Sequence, residues 1–327
     1  MHPSLEPELA AGAPPAGLFV RDAGNFVPTD AARGPWDPTA LHGGPVAALA
    51  AHVAAAAAPE GMEPARLTLE LWSAVPLLPL AVSVEQVRPG RRVAVSEVRL
   101  RRAGDPAGRV LARGQVQWIR KGGGPAEPPP LRGPWDAVTA QRRPEEIREV
   151  APRWNTPGFH TIGADLRFAT GSFRTLGPAF VWIRLRSAVV AGEPTTPFAR
   201  AVAAADFGNG VSPELGVDAW SYVNPDLSVH LARLPAGEWV GLDAATLVTG
   251  NGRGIAESVL YDLDGPIGRA VQGLLVEPAG GNGIPPVAEA AVASDAARAV
   301  DATRGIDAAP CADAARGTTA APAEGAD

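Results

Sequence analysis

The chain has 327 residues, 46% of them hydrophobic, enough to bury a substantial core in one large domain or two ordinary ones. Its formal net charge is −6 and it has no long run of lysine or arginine, so nucleic acid is not an expected partner. The single cysteine, Cys311, rules out a disulfide framework within one chain, and five scattered histidines do not have metal-ligand spacing. Neither a metal nor any other cofactor is expected.

Residues 1–14 read as an N-terminal extension, and "MHPSLEPELAAGAPPAG" lacks a basic stretch followed by an apolar core, so no signal peptide is expected. A first unit spans 15–121. It opens with a strand near residues 18–27, followed by an apolar helix over 43–58, "GGPVAALAAHVAAAAA". That segment is apolar nearly all round, as a helix is when protein surrounds it, and alanine is the best helix former. The apolar run 45–59 contains His52 and is too short to cross a bilayer. Period-2 runs follow in "RLTLELWSAVP", in 82–87 and in 93–98, with Pro89-Gly90 as a turn. The stretch 122–152, with "GGGPAEPPP", reads as a linker. A second unit covers 153–277, with a strand near 180–189, an apolar helix over 197–207 and a hairpin signal at Asp264-Gly265. Residues 278–327 have no aromatics and read as a disordered tail, with transient helix over 287–300. Lys121 is the only lysine among many arginines, which points to a GC-rich bacterial genome, and a cytoplasmic protein is expected.

The two units resemble each other. In each, an apolar helix precedes three strand-like segments in the same order: "RLTLELWSAVP" matches "DLSVHLARLP", "RPGRRVAVSEVRL" matches "NGRGIAESVLYDL", and "DPAGRVLARGQVQWI" matches "DGPIGRAVQGLLV". Residues 108–119 align with 265–276 without gaps, which lays Gln115 on Gln272. The expected class is α+β, two repeats each with a long antiparallel sheet wrapped around a central helix.

That arrangement is the double hotdog, and the local sequences add to it. "HGGPVAALAAH" resembles the start of the central helix in acyl-CoA thioesterase II and related thioesterase-superfamily proteins. "AAADFGNG", "SYVNPDLSVHLARLPAGEW" and "LYDLDGPIGRAVQGLLV" resemble that family's second half, and the likeness covers about residues 15–277. The resemblance implies hydrolysis of acyl-CoA by a water held between an aspartate on the second helix, an Asn, Ser or Thr at the next long strand and a glutamine near the last strand. By motif these are Asp206, Asn224 and Gln272. Asn224 stands where the family often has a hydroxyl. The first repeat has no carboxylate matching Asp206, near residues 51–54, so one active and one degenerate site are implied.

A carboxylate held beside water acts as a general base, and neutral amides donate to it while accepting from the water. The oxyanion of the thioester is expected at the start of the first helix, where unpaired N–H groups and the helix dipole favour negative charge. Gly43 and Gly44 precede Pro45 there, and the Gly44 region, with His42 beside it, is the expected oxyanion and substrate-binding element. Two competing functions remain open: a non-catalytic acyl-thioester-binding module, and an acyl-CoA hydratase or dehydratase, which usually carries an Asp/His pair on the helix. An acyl-CoA substrate is the expected partner, and a homo-oligomer is compatible with the sequence.

Overall fold

A computed structural model describes residues 15–125, 127, 129–131, 143–147 and 156–279. The N-terminal extension, most of the linker and the tail from residue 280, with Cys311 and the helix expected over 287–300, lie outside the described residues.

Among the described residues, fourteen strands form one sheet. In chain order they begin with β1 (Gly17–Asp22), β2 (Asn25–Pro28), β3 (Met62–Leu71), β4 (Leu80–Arg88), β5 (Val93–Arg102) and β6 (Val110–Arg120). The second repeat supplies β7 (Ala164–Thr170), β8 (Ala179–Leu185), β9 (Ala188–Val190), β10 (Trp220–Val223), β11 (Asp226–Leu231), β12 (Val240–Val248), β13 (Arg253–Asp262) and β14 (Gly265–Pro278). The strand order is β7-β8-β12-β13-β14-β11-β3-β6-β5-β4-β2-β1-β9, with β10 also on β14. Read outward from the β11–β3 junction, the first four strands on each side correspond, β11-β14-β13-β12 to β3-β6-β5-β4, while at the far edge β9 of the second repeat pairs parallel with β1. At the junction, Leu227 faces Leu69 and Val229 faces Leu67. The matching alternations of the two repeats therefore pair with each other, which joins both halves into one continuous double hotdog sheet.

Among the described residues, two longer helices pack against the sheet and each other. The all-apolar first segment forms α1 (Gly43–Ala56), and residues Gly44 to His52 are buried. The second forms α2 (Pro197–Ala205), capped by the Thr196 hydroxyl accepting from Ala199 N. The helices pack closely at the N-terminus of α1. A Cβ added at Gly44 would lie 2.7 Å from the Ala203 carbonyl oxygen and 2.7 Å from Phe159 Cε1.

Three expectations differ from the structure. The strand near 18–27 is a hairpin, β1–β2, turning at Ala23-Gly24, both with positive φ. The chain does not leave the helical conformation after residue 207. Asp206 and Phe207 keep right-handed helical angles and a further turn, α3 (Gly208–Val211), follows. The gapless alignment of 108–119 with 265–276 is out of phase on the sheet. Gln272 points inward and is buried, whereas inward positions on β6 are Gly114 and Val116; Gln115 lies on the other face beside Glu97. A one-residue offset in a strand exchanges its faces.

Candidate active site

Asp206 ends α2 and its carboxylate reaches over the start of α1. The approach is possible because residue 43 is glycine: a Cβ there would lie 2.7 Å from Asp206 Oδ2 and 2.8 Å from Oδ1. Asp206 is only 3% exposed, so its oxygens need partners. Oδ1 accepts from Asn224 Nδ2 at 2.8 Å and from Gln272 Nε2 at 3.1 Å. Oδ2 lies 2.8 Å from His42 Nδ1. The structure thus brings Asp206, Asn224, Gln272, His42 and Gly43 together.

Asn224 is aimed by an irregularity in the sheet. β10 pairs with β14 up to Val223–Leu275, and β11 resumes at Ser228–Val271. Residues 224–227 therefore face the shorter segment 272–274, as in a β-bulge. Asp226 fixes the bulge by accepting from Gly273 N at 2.8 Å, and the Pro225 carbonyl accepts from Leu71 N at 2.7 Å.

Gln272 is set differently from the expectation. Its Nε2 also donates to the Asp206 carbonyl at 3.2 Å, and its Oε1 accepts from Asn209 N at 3.1 Å. Both ends of the amide are committed to protein, and Gln272 is absent from the cavity wall. Gly208 makes room for it, since a Cβ there would lie 3.0 Å from Gln272 Oε1. The "FGNG" stretch thus makes room for this contact. Asn209 was not singled out by sequence reasoning, yet its N–H orients Gln272 and its residue lines the cavity. A polar residue after an apolar helix was the available signal.

A cavity of about 420 Å³ opens against Asp206. Its polar wall includes His42, Gly43, Asn209 and Asn224, and its apolar wall includes Trp36, Leu41, Val46, Leu71, Val75 and Tyr222. Both repeats contribute. Gly43 lines it, whereas Gly44 is buried behind, with its N–H 3.1 Å from His42 Nδ1.

The other end of the helix pair has a reversed arrangement. His52 lies nine residues after Gly43, as Asp206 lies nine after Pro197. His52 Nε2 lies 2.8 Å from Glu193 Oε2, and Arg21 Nε donates to Glu193 Oε1 at 2.8 Å. The hydrogen bonds from Arg21 and then His52 hold the Glu193 carboxyl at about 2. Here the helix supplies the imidazole and the loop the carboxylate. His160 is 3% exposed in the turn Phe159–Gly163; burial, then the charge of His42, pushes it down to about 3. His230, Arg88, Arg91 and Arg92 are exposed and away from this cavity.

Residues 134–276 match the family described as acyl-CoA thioesterase C-terminal domain, and residues 32–117 match its N-terminal domain. The chain belongs to the acyl-CoA thioesterase family. Thioester hydrolysis is the general activity this assigns to it. Solved structures share the fold of this thioesterase. A candidate thioesterase II from Thermobifida fusca is similar at 19% identity and a TM-score of 0.62, covering 80% of this chain and 96% of its own. A hot dog fold protein of unknown function from Alicyclobacillus acidocaldarius has 15% identity, a TM-score of 0.60 and coverages of 79% and 95%. Acyl-CoA thioesterase II TesB2 from Mycobacterium marinum has 17% identity, a TM-score of 0.53 and coverages of 75% and 93%. No curated protein sequence matches this thioesterase significantly. Among its described residues no helix is long and apolar enough to cross a membrane, and no cluster of side chains could hold a metal ion.

Proposed function

We propose that this thioesterase hydrolyses acyl-CoA by direct attack of a water activated by Asp206. The observation that carries the reading is the carboxylate itself: buried, held at Oδ1 by two amides, and open to the cavity. Two donors on Oδ1 leave Oδ2 as the oxygen that takes the water's proton. Asn224 lines the cavity, donates to Asp206 through Nδ2 and has its carbonyl oxygen for the water. Gln272 acts one step removed, by fixing the carboxylate's angle. The thioester oxygen is assigned to the N-terminus of α1, with the Gly43 N–H as donor and the helix dipole behind it. The acyl chain is assigned to the apolar wall formed by Trp36, Leu41, Val46 and Val75.

Thiol release from short-, medium- and long-chain acyl-CoAs tests this, with wild type and Asp206→Ala measured side by side. General-base catalysis predicts a loss of about 10²–10⁴-fold in kcat for the variant. Undiminished hydrolysis by folded Asp206→Ala would remove Asp206 from the chemistry. One observation favours a second reading, hydration of an enoyl-CoA: the structure has an Asp/His pair, made across the repeats by Asp206 and His42. Consumption of enoyl-CoA without thiol release would support that reading over hydrolysis.

A further inference from the structure

Asn209 is 8% exposed and donates its backbone N–H to Gln272 Oε1 at 3.1 Å. Among the described residues its side-chain amide has no hydrogen-bond partner, yet neither end of it is sealed in the core. The residue lines the cavity beside Asp206, so a donor and an acceptor are open to whatever fills that space. The polar side chains packed nearby are already committed. The Ser212 hydroxyl donates to the Gly208 carbonyl at 2.8 Å and meets Thr246 Oγ1 at 2.9 Å. The Tyr222 hydroxyl donates to the Leu215 carbonyl at 3.0 Å and accepts from Leu215 N at 2.7 Å. A polar group buried this far costs free energy whenever it has no partner, so the occupant of the cavity decides that cost.

The backbone fixes how far this amide is from the reacting atoms. Asp206 and Phe207 have ψ of −11°, and α3 follows at once, so residues 206 and 209 are three apart on one continuous helical path. Side chains at that spacing share a face, with Cβ atoms about 5–6 Å apart. A thioester carbon placed against Asp206 therefore has Asn209 beside the first few carbons of its substituents, not beside a distant end. Burial decides which substituent that is. Asp206, Asn209, Val46 and Tyr222 form the buried floor of the cavity, whereas Ser73, Ala74, Val223 and Pro225 form an exposed rim. The large polar CoA leaves by the rim, and the floor receives the acyl group.

We propose that Asn209 is a specificity-determining residue whose amide binds a hydroxyl on the β-carbon of the acyl chain, so that this thioesterase favours β-hydroxyacyl-CoA over the unsubstituted thioester. This names the substrate class of the site described above and rests on the reading of that site as hydrolytic. With the chain against Trp36, Leu41, Val46 and Val75, a substituent on its β-carbon points across the cavity to the wall of the second repeat, where Asn209 stands. A hydroxyl both donates and accepts, and so engages either end of the amide; a keto oxygen accepts only and leaves the Asn209 carbonyl unpaired. An unsubstituted chain strips the amide of water and gives nothing back. Leaving one buried polar group unpaired in this way costs about tenfold in binding.

The test compares octanoyl-CoA with each enantiomer of β-hydroxyoctanoyl-CoA, in wild type and in Asn209→Leu. Leucine is close to asparagine in shape and keeps the backbone N–H that orients Gln272. Wild type is expected to show kcat/KM about tenfold or more higher for at least one hydroxy enantiomer, and the variant to lose that preference. The ratio of the two substrates is the readout, because a misaligned Gln272 or a lost contact with the CoA arm lowers both rates together and leaves the ratio intact. An unchanged ratio in the variant overturns the proposal, and so does a wild type that favours neither enantiomer, a result that needs no variant to fold. Calorimetric binding of the non-hydrolysable thioether analogues of the same compounds should show the same preference in Kd. A preference in Kd without thiol release from any acyl-CoA sinks the hydrolytic reading and leaves Asn209 as the recognition residue. Hydrolysis that depends on Asp206 but ignores the hydroxyl sinks this inference alone.

Discussion

Two adjacent glycines do different work at the start of α1, and the difference is in what an added methyl group would strike. At Gly43 it would strike the Asp206 carboxylate, at 2.7 Å and 2.8 Å from its two oxygens. A side-chain end moves aside at little cost to the fold, but this one is held by Asn224, Gln272 and His42. Gly43→Ala is therefore expected to lower kcat by about 10²-fold, the cost of roughly an ångström of misplacement at a reacting group, while changing the melting temperature little. Steady-state kinetics and thermal unfolding of the same preparation check this. Loss of fold without a separate loss of kcat would contradict it. Asp206, Asn224 and Gln272 were singled out through the family resemblance of their motifs, and the structure brings both amides within hydrogen-bond reach of Asp206. The orientation of Gln272 was not legible, since it depends on Asn209 N–H, a backbone donor that no side-chain pattern reveals.

At the scale of elements, Gly44 sets the distance between α1 and α2. Its added Cβ would meet the Ala203 carbonyl and Phe159 Cε1, both at 2.7 Å. The first is backbone, and the Phe159 ring is wedged against Phe207 and His42, stacked with its centroid 5.1 Å from that of Phe207. Neither yields easily. Replacing glycine by alanine in a helix contributes about 1 kcal/mol of stability, while overpacking a close contact costs about 1–3 kcal/mol. The second effect should win here because backbone must shift. Gly44→Ala is expected to lower the denaturant midpoint, and an unchanged or raised midpoint would mean that the helices separate freely. The helices themselves were readable from alanine-rich composition. The continuation through α3 was not, because Gly-Asn-Gly has turn chemistry in isolation, and only the buried amide of Gln272 beside Gly208 explains why the chain stays helical there.

At the scale of the whole molecule, the duplication read from three matched segments reappears as a sheet whose order mirrors over the four strands on each side of the β11–β3 junction. What the matched segments did not disclose is phase. Gln115 and Gln272 occupy the same place in a gapless alignment yet opposite faces of the sheet, so only one repeat offers a glutamine to its helix. The helix positions diverged as well, to Asp206 in one repeat and His52 in the other. The resulting asymmetry buries a neutral histidine behind His42, and it has a consequence for global stability. His160 titrates at about 3 in the fold, against an ordinary value of 6.5. Between those two values the unfolded chain binds the proton and the folded chain does not. Stability is therefore fully present above about pH 6.5 and falls as the pH drops towards 3, by at most about 1.4 kcal/mol per unit. The buried carboxylates act in a lower window. For Asp262 and Asp165, burial pushes the pKa up, but hydrogen bonds from Arg233 and from Arg184 and Arg186 outweigh it and leave both lowered, so their contribution is lost only below about pH 4. Between pH 6.5 and 5, His160 thus contributes a slope the carboxylates do not. Urea unfolding at pH 7.5 and pH 5 should give wild type a loss about 2 kcal/mol larger than that of His160→Gln. Equal losses in the two proteins would mean that His160 takes up its proton without unfolding, through an opening of the Phe159–Gly163 turn that admits water beside the active site.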